Sequence, residues 1–166
     1  MSGENETKPV RGWLSWTWRM VPGGIRRLGV RLLEPTYTLT AGVVVVDERG
    51  WVLLARHVFR IGSGWGIPGG FVERGEQPDD AARRELREEL DLEVSDLRLA
   101  FVRTLHRARQ VEVIFTARAA SSPRATGGEI VEVEWFDPAG FPGDVSPDQQ
   151  SIVRRALGSR VPSPST

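Results

Sequence analysis

The most constraining feature of the sequence is an acidic segment, residues 69–92, in which a glycine-rich loop leads into a helix-forming run. At about 100° per residue, Glu88 and Glu89 lie about 60° and 40° to either side of Glu85 on one helical face. Like charges at this spacing destabilise a helix by roughly a few tenths of a kcal/mol per pair. The pattern therefore predicts a cation between the carboxylates. Hard oxygen ligands, in a chain without cysteine, favour Mg²⁺ or Mn²⁺.

The same segment resembles the Nudix box, a motif of the form GX5EX7REUXEEXGU in which U is an aliphatic residue. Gly70, Glu76 and the run 84–92 match its positions, and the one departure is Asp91, which stands where the motif has glycine. That glycine ordinarily lets the helix end in a left-handed conformation, which Asp adopts at a cost. The resemblance implies an α/β fold, an α/β/α sandwich around a mixed β-sheet.

The resemblance also implies roles for single residues of the box. Arg84 would orient the first glutamate, and Glu76 would lie behind the metal ligands or bind an additional metal ion. The metal ligands themselves would be the Gly70 carbonyl, Glu85, Glu88 and Glu89.

The general base has two alternative sources. Some Nudix enzymes use the first helix glutamate, here Glu85, and others use an acidic residue from a loop beyond the box. Glu129, which follows a loop-forming stretch at 121–128, is the first candidate of the second kind, and Glu112 is the next. A base must reach the attacking water within hydrogen-bond distance, which is a matter of three-dimensional structure.

Substrate contacts are predicted at three arginines outside the box, with ordinary surface positions as the alternative for each: Arg56, Arg60 and Arg103. Trp65, just before the box, has two interpretations. It either stacks on a nucleobase or packs over the box loop, and packing is the favoured one.

Hydrophobic patterning predicts the order of the secondary structure. Strands are expected at 38–46, 51–56, 97–106, 110–117 and 130–136. The four-valine run at 43–46 indicates a strand that is buried on both faces. Besides the box helix, a closing helix is expected at 146–157, with Ser146 as its N-cap and Pro147 in its first position.

The domain organisation follows from these elements. We predict a disordered tail at 1–10, a Trp/Arg-rich helical extension at 11–34, a Nudix domain at 35–160 and a tail at 161–166. The segment 11–33 combines apolar and basic residues. Packing on the domain or at a homodimer interface is its favoured interpretation, and contact with a membrane surface or a phosphorylated ligand is the alternative.

Composition limits the partners and the compartment. The formal net charge is zero, so charge gives no case for a nucleic-acid partner. The resemblance implies a small nucleotide as the substrate. The chain has no cysteine, and its polar start is unlike a secretory signal, so we expect a cytoplasmic protein.

The resemblance to the Nudix family implies two possible functions. The first is a metal-dependent hydrolase of anhydride bonds in nucleoside diphosphate-X compounds, such as ADP-ribose-like molecules, nucleotide sugars or NTPs and dNTPs. The second is a Nudix-fold module that binds or senses a nucleotide without turnover. The three helix glutamates favour the enzyme, because binding modules of this kind usually lose them.

Overall fold

A computed structural model describes residues 35–58, 64–126 and 128–158 of the chain. The predicted tails and the predicted extension at 11–34 lie outside the described residues, as does Arg60. The described elements, in chain order, are β1 (Thr38–Val46), β2 (Val52–His57), β3 (Trp65–Gly66), β4 (Gly69–Phe71), α1 (Pro78–Leu90), β5 (Val94–Leu105), β6 (Gln110–Ala119), β7 (Ile130–Phe136) and α2 (Pro147–Gly158).

Strand β1 lies at the centre of a mixed sheet. It pairs in parallel with β6 along its whole length, from Thr38 opposite Gln110 to Val46 opposite Arg118. It also pairs antiparallel with β4 and, at its carboxyl end, with β2. The strand order is β3-β2-β1-β6-β5, with β4 added to β1 and β7 added to β2. The predicted mixed sheet is therefore confirmed.

The valine run of β1 joins two separate cores. Val43 and Val45 pack in one core with α1, whose buried residues there include Leu86 and Leu90. Val44 and Val46 pack in the other core with α2, on the opposite face of the sheet. Successive strand residues point to opposite faces, so each helix covers one face. Fully burying a leucine contributes about 1.5–3 kcal/mol, which fixes α1 firmly on its face. The α/β/α sandwich is confirmed.

The carboxyl end of α1 and the amino end of α2 are both capped. Helix α1 has Pro78 at its start and ends at Asp91, which adopts the left-handed conformation with φ 49° and ψ 34°. The amide of Asp91 donates to the Arg87 carbonyl (3.0 Å) and that of Leu92 to the Leu86 carbonyl (3.1 Å). The bond from Asp91 is that of the αL cap, an arrangement in which glycine usually takes the left-handed position. In α2, the Ser146 hydroxyl accepts a hydrogen bond from the Gln149 amide (3.3 Å), which confirms the N-cap.

Strand boundaries differ from the predictions by a few residues. Strand β5 begins at Val94, three residues before the predicted start at 97. Its pairing with β6 shifts register between Ser95 and Arg98, and Asp96 has a positive φ of 52°. A bulge of this kind breaks the alternation by which a strand is recognised in sequence. None of the described helices is long and apolar enough to cross a membrane.

Candidate active site

The glycine-rich loop brings β4 close to both β1 and α1. Gly69 has φ +141°, and a Cβ there would lie 2.1 Å from the Ala41 carbonyl oxygen, so only glycine fits. A Cβ on Gly70 would lie 2.4 Å from the Cδ and the Oε1 of Glu85. The Glu85 carboxylate therefore occupies the space that a side chain at residue 70 would need. The missing side chain lets the box helix place its first glutamate directly against the loop.

Arg84 is the hub of the side-chain contacts around this loop. Its Nε donates to Glu76 Oε1 (2.9 Å) and its Nη2 to Glu76 Oε2 (3.1 Å), a two-point contact with one carboxylate. Its Nη2 also donates to the Phe71 carbonyl (3.0 Å). Its Nη1 donates to Glu85 Oε1 (2.8 Å) and, more weakly, to Glu88 Oε2 (3.3 Å). The planar fork of an arginine suits such a set of acceptors.

These contacts hold the charges in place. The hydrogen bonds to Glu76, and then those to Glu85 and Glu88, raise the pKa of Arg84 above its ordinary value. Conversely, the hydrogen bond from Arg84, together with that from the Glu73 amide, lowers the pKa of Glu76 below its ordinary 4.5. Both groups are therefore charged at neutral pH.

The three helix glutamates differ in exposure. The Glu85 side chain is 14% exposed, whereas that of Glu88 is 63% exposed. The Oε2 atom of Glu89 is buried. Within the described residues, no three acidic or histidine side chains are grouped closely enough to hold a metal ion as they stand. A shared ion therefore requires a movement of at least one of these side chains.

The chemistry of this donor set fits a divalent ion. All of the predicted ligands are oxygens, which are the ligands that Mg²⁺ and Mn²⁺ prefer. The Glu85 carboxylate lies directly against the backbone of Gly70. The residues present therefore suit such an ion, with Glu85, Glu88 and Glu89 as its predicted holders.

A cleft of about 210 Å³ opens next to Gly70. Its walls come from β1, β4, β6 and α2, and they present both apolar and hydrogen-bonding groups. The polar side chains in its lining belong to Thr40, Gln110, Glu112 and Gln149. Phe71, which is 64% exposed, stands at its edge. The cleft therefore places groups that can contact an organic moiety beside the glycine loop of the box.

Arg103 contacts Glu112, a residue of the cleft lining, and is held by two carboxylates. Its Nε contacts Glu112 in a very short hydrogen bond, and its Nη1 and Nη2 donate to the two oxygens of Asp148 (2.6 and 2.9 Å). The bonds to Asp148 and then to Glu112 raise the pKa of Arg103. The contacts tie α2 to strands β5 and β6, so a structural role explains Arg103 well. Its predicted contact with substrate stays a prediction.

The other predicted residues lie apart from the cleft. Arg56 forms an ion pair with Glu132 (2.7 Å), and its guanidinium lies 5.7 Å from the centre of the Trp65 ring. Trp65 is 6% exposed and meets Phe136 edge-on at 5.0 Å, so it packs in the core, against β7. Glu129 is exposed, and its carbonyl accepts from the Val58 amide (2.9 Å).

Of the two candidate bases beyond the box, the structure places Glu112 in the cleft, where Arg103 holds one of its oxygens. Glu129 is not among the described residues that line the cleft. Sequence reasoning did not single out Gln110 or Gln149. Gln110 opens the predicted strand at 110–117, and Gln149 lies in the first turn of α2, three residues after Ser146. These positions in the sequence were the signal by which the two residues could have been found.

The sandwich, with a glycine loop against an acidic helix, defines the class of Nudix folds. Comparison with known families agrees, because the NUDIX domain model matches residues 36–156. The chain belongs to the Nudix family, as its box indicated.

Solved structures of similar fold include a MutT NUDIX hydrolase from Burkholderia pseudomallei, with a TM-score of 0.65 and 22% identity, covering 72% of this chain and 98% of that one. A NUDIX hydrolase from Nitrosomonas europaea has a TM-score of 0.65 and 26% identity, covering 76% of this chain and 73% of that one. An RNA pyrophosphohydrolase of Pseudomonas paraeruginosa is 38% identical over 58 residues, which is 35% of each chain. The chain thus spans about a third of the length of this curated relative.

Proposed function

We propose that this protein is a metal-dependent Nudix pyrophosphohydrolase that cleaves a phosphoric anhydride bond in nucleoside diphosphate-X compounds. Membership of the family supports the proposal, as do relatives whose names are hydrolase and pyrophosphohydrolase. The observation that carries it is the position of Glu85. Its carboxylate lies against Gly70, a residue that borders the cleft, and accepts a hydrogen bond from Arg84.

The residues of the box would have two roles, metal binding and positioning. Glu85, Glu88 and Glu89 would hold Mg²⁺ or Mn²⁺, which when bound neutralises anionic oxygens and lowers the pKa of water. Arg84 would keep Glu85 in place through its bonds to Glu76 and to the loop. Their shared task is to position a diphosphate against the loop, because positioning and charge stabilisation dominate phosphoryl transfer.

The bond changes are those of a hydrolysis. The oxygen of water forms a bond to phosphorus, and the anhydride bond between phosphorus and its bridging oxygen breaks. The water proton passes to a carboxylate base, for which Glu85, Glu129 and Glu112 are the candidates. The products are a nucleoside monophosphate and phosphorylated X, or pyrophosphate when the substrate is a triphosphate.

A second substrate class is favoured by one observation. Several relatives, from Pseudomonas paraeruginosa to Hamiltonella defensa, carry the name RNA pyrophosphohydrolase and are 38% and 39% identical over 58 and 63 residues. An RNA with a 5′-triphosphate is therefore a candidate beside small nucleotides. The zero net charge speaks for the small substrates, because RNA binding usually draws on a basic surface.

The decisive experiment is a substrate panel with and without Mg²⁺. It contains ADP-ribose, nucleotide sugars, NTPs and dNTPs, and a short RNA with a 5′-triphosphate, and it follows the release of phosphate-bearing products. We expect metal-dependent turnover of at least one nucleoside diphosphate-X compound. Turnover of the RNA alone would move the proposal to the second class.

The variant that tests the metal ligands is Glu89→Gln, which keeps the size of the side chain and removes its charge. We expect turnover to fall by more than about 100-fold, since even the loss of a group behind a metal ligand costs 10–100-fold. Folding is checked by circular dichroism. Tight nucleotide binding in calorimetry without any product would instead support the sensor module, and unchanged hydrolysis in Glu89→Gln would contradict the assigned metal ligands.

A further inference from the structure

The end of α1 is held by a loop that the box does not include. This loop, residues 120–126, follows β6, and we name it the clamp. The amide of Arg124 donates to the Leu90 carbonyl (2.7 Å), and the amide of Thr126 donates to the Glu89 carbonyl (2.9 Å). The Thr126 hydroxyl donates to the Glu88 carbonyl in a very short bond. Three successive carbonyls at the end of the helix thus accept from one loop.

These carbonyls are ones that a helix end leaves without intrahelical partners. Water usually satisfies such groups on an exposed helix, and the backbone of the last turn then frays easily. Here the acceptors belong to Glu88, Glu89 and Leu90, the turn that carries two of the predicted metal ligands. The clamp therefore restrains the backbone from which both carboxylates project.

The clamp is anchored at both of its ends. At its start, the Ala120 amide donates to the Glu93 carbonyl (2.8 Å), and the Ser121 hydroxyl accepts from the Glu93 amide (3.0 Å). Near its end, the Arg124 side chain pairs with Asp91 (2.8 Å), although both side chains are well exposed. An exposed pair of this kind contributes little, so the hydrogen bonds to the backbone dominate.

We infer that the clamp is a positioning device for the proposed metal site, in which Thr126 and Arg124 set the placement of Glu88 and Glu89 through their backbone. Thr126 and Arg124 are positioning residues, because they act through the helix and not on the substrate. This inference rests on the proposed function. It adds to the box two residues that lie more than thirty positions further along the chain.

The inference also gives a reason for the departure at Asp91. A glycine in this position ends a helix through its own conformational freedom. Asp91 adopts the same left-handed conformation and in addition offers a carboxylate to Arg124. The end of α1 is therefore tied to the clamp by the very side chain that departs from the motif.

The test removes one hydrogen bond and keeps the shape. Thr126→Val deletes the hydroxyl that bonds the Glu88 carbonyl, and Thr126→Ser restores a hydroxyl as a rescue. Ser122→Ala, which removes an exposed hydroxyl from the same loop, is the matched control. Three readouts are compared: Mn²⁺ affinity by electron paramagnetic resonance, amide hydrogen exchange of Arg124 and Thr126, and kcat and KM separately.

We expect Thr126→Val to weaken Mn²⁺ binding by about tenfold, the lower end of the effect of groups behind a metal ligand. Exchange at Arg124 and Thr126 should become faster, and kcat should fall with little change in KM. Thr126→Ser should recover most of the affinity, and Ser122→Ala should match the wild type. A purely structural loop would change the melting temperature without this recovery of metal affinity.

The outcomes separate the inference from the proposed function. If the wild type binds Mn²⁺ and Thr126→Val binds it with the same affinity, the positioning role of the clamp is overturned and the proposed function is not. Rapid exchange of the Arg124 and Thr126 amides in the wild type would also overturn it. Absence of Mn²⁺ binding in the wild type would overturn both the clamp's role and the proposed metal site.

Discussion

The guanidinium of Arg84 donates hydrogen bonds to both carboxylate oxygens of Glu76, eight residues before it, with N–O distances of 2.9 and 3.1 Å. The pair joins the loop before α1 to the first turns of the helix. The other edge of the same guanidinium contacts Glu85. The position of the first helix glutamate thus depends on a contact with a residue outside the helix.

Replacing Arg84 with lysine should weaken both the fold and the proposed activity. Lysine offers a point charge in place of a planar fork, so it cannot keep the contacts with Glu76, the Phe71 carbonyl and Glu85 together. We expect the free energy of unfolding to fall by about 1–2 kcal/mol in urea denaturation, with a lower kcat. The control is Arg83→Lys, whose wild-type side chain bonds one carbonyl, that of Val94 (3.2 Å). Equal effects of the two variants would contradict the hub.

Two adjacent glycines should respond differently to alanine. At Gly70, the three atoms nearest to a Cβ all belong to the end of the Glu85 side chain, which can turn away. Gly70→Ala should therefore keep its stability within about 1 kcal/mol and lose Mn²⁺ affinity and turnover. At Gly69, a Cβ meets the backbone of Ala41 and the positive φ is unfavourable, so Gly69→Ala should lose more than about 2 kcal/mol.

The control for both variants is Gly140→Ala, where a Cβ meets nothing within 4 Å. Urea denaturation and Mn²⁺ titration are run on all three proteins. If Gly70→Ala retained full metal affinity, the seat of Glu85 against the loop would have no bearing on metal binding.

Local patterns in the sequence were enough to predict most elements. The strand at 38–46 and the strand at 130–136 were predicted with the bounds that the structure has. The reason is that β-branched runs and turn residues act through neighbouring positions. The N-cap at Ser146 was predicted for the same reason, since its hydroxyl bonds an amide three residues away.

Contacts between distant segments were not predicted. The parallel pairing of β1 with β6 and the clamp on α1 are made largely by backbone groups, which every residue carries and which leave no mark in a sequence. The pair of Arg103 with Glu112 was missed by one residue. The predicted strands, joined through 107–109, would place Arg103 opposite Val113, whereas the turn spans 106–109 and the register places Arg103 opposite Glu112. The second partner, Asp148, depends on how α2 packs and could not be predicted locally.

Replacing Asp91 with glycine should stabilise the protein. Glycine adopts the left-handed conformation without the cost that Asp bears, and it removes a negative charge from the negative end of the helix dipole. The pair with Arg124 is lost, but both partners are exposed, so its loss offsets only part of the gain. We expect a gain of about 0.5–1 kcal/mol, measured by thermal unfolding, which is about 1–4 °C for a domain of this size.

Asp91→Asn is the control for that variant. Asparagine tolerates the left-handed conformation about as well as Asp, yet it removes the charge and the ion pair. We expect its free energy of unfolding to stay within about 0.5 kcal/mol of that of the wild type. A marked loss in both variants would show that the pair with Arg124 outweighs the conformational cost.

The turn between β1 and β2 should make the stability depend on acid pH through Asp47. Burial opposes ionisation of this carboxyl, but the hydrogen bonds that it accepts from the Trp51 amide (2.8 Å) and from Arg49 outweigh burial and lower its pKa below 3.8. In acid, the unfolded state then binds more protons than the folded state, so stability falls as the pH drops from about 4 through the folded pKa. Asp47→Asn should cost about 1 kcal/mol at pH 7 and progressively less below pH 4, as followed by urea denaturation at each pH. Glu48→Gln, next to it in the same turn, is the control; a constant gap between wild type and Asp47→Asn across this pH range would contradict the assignment.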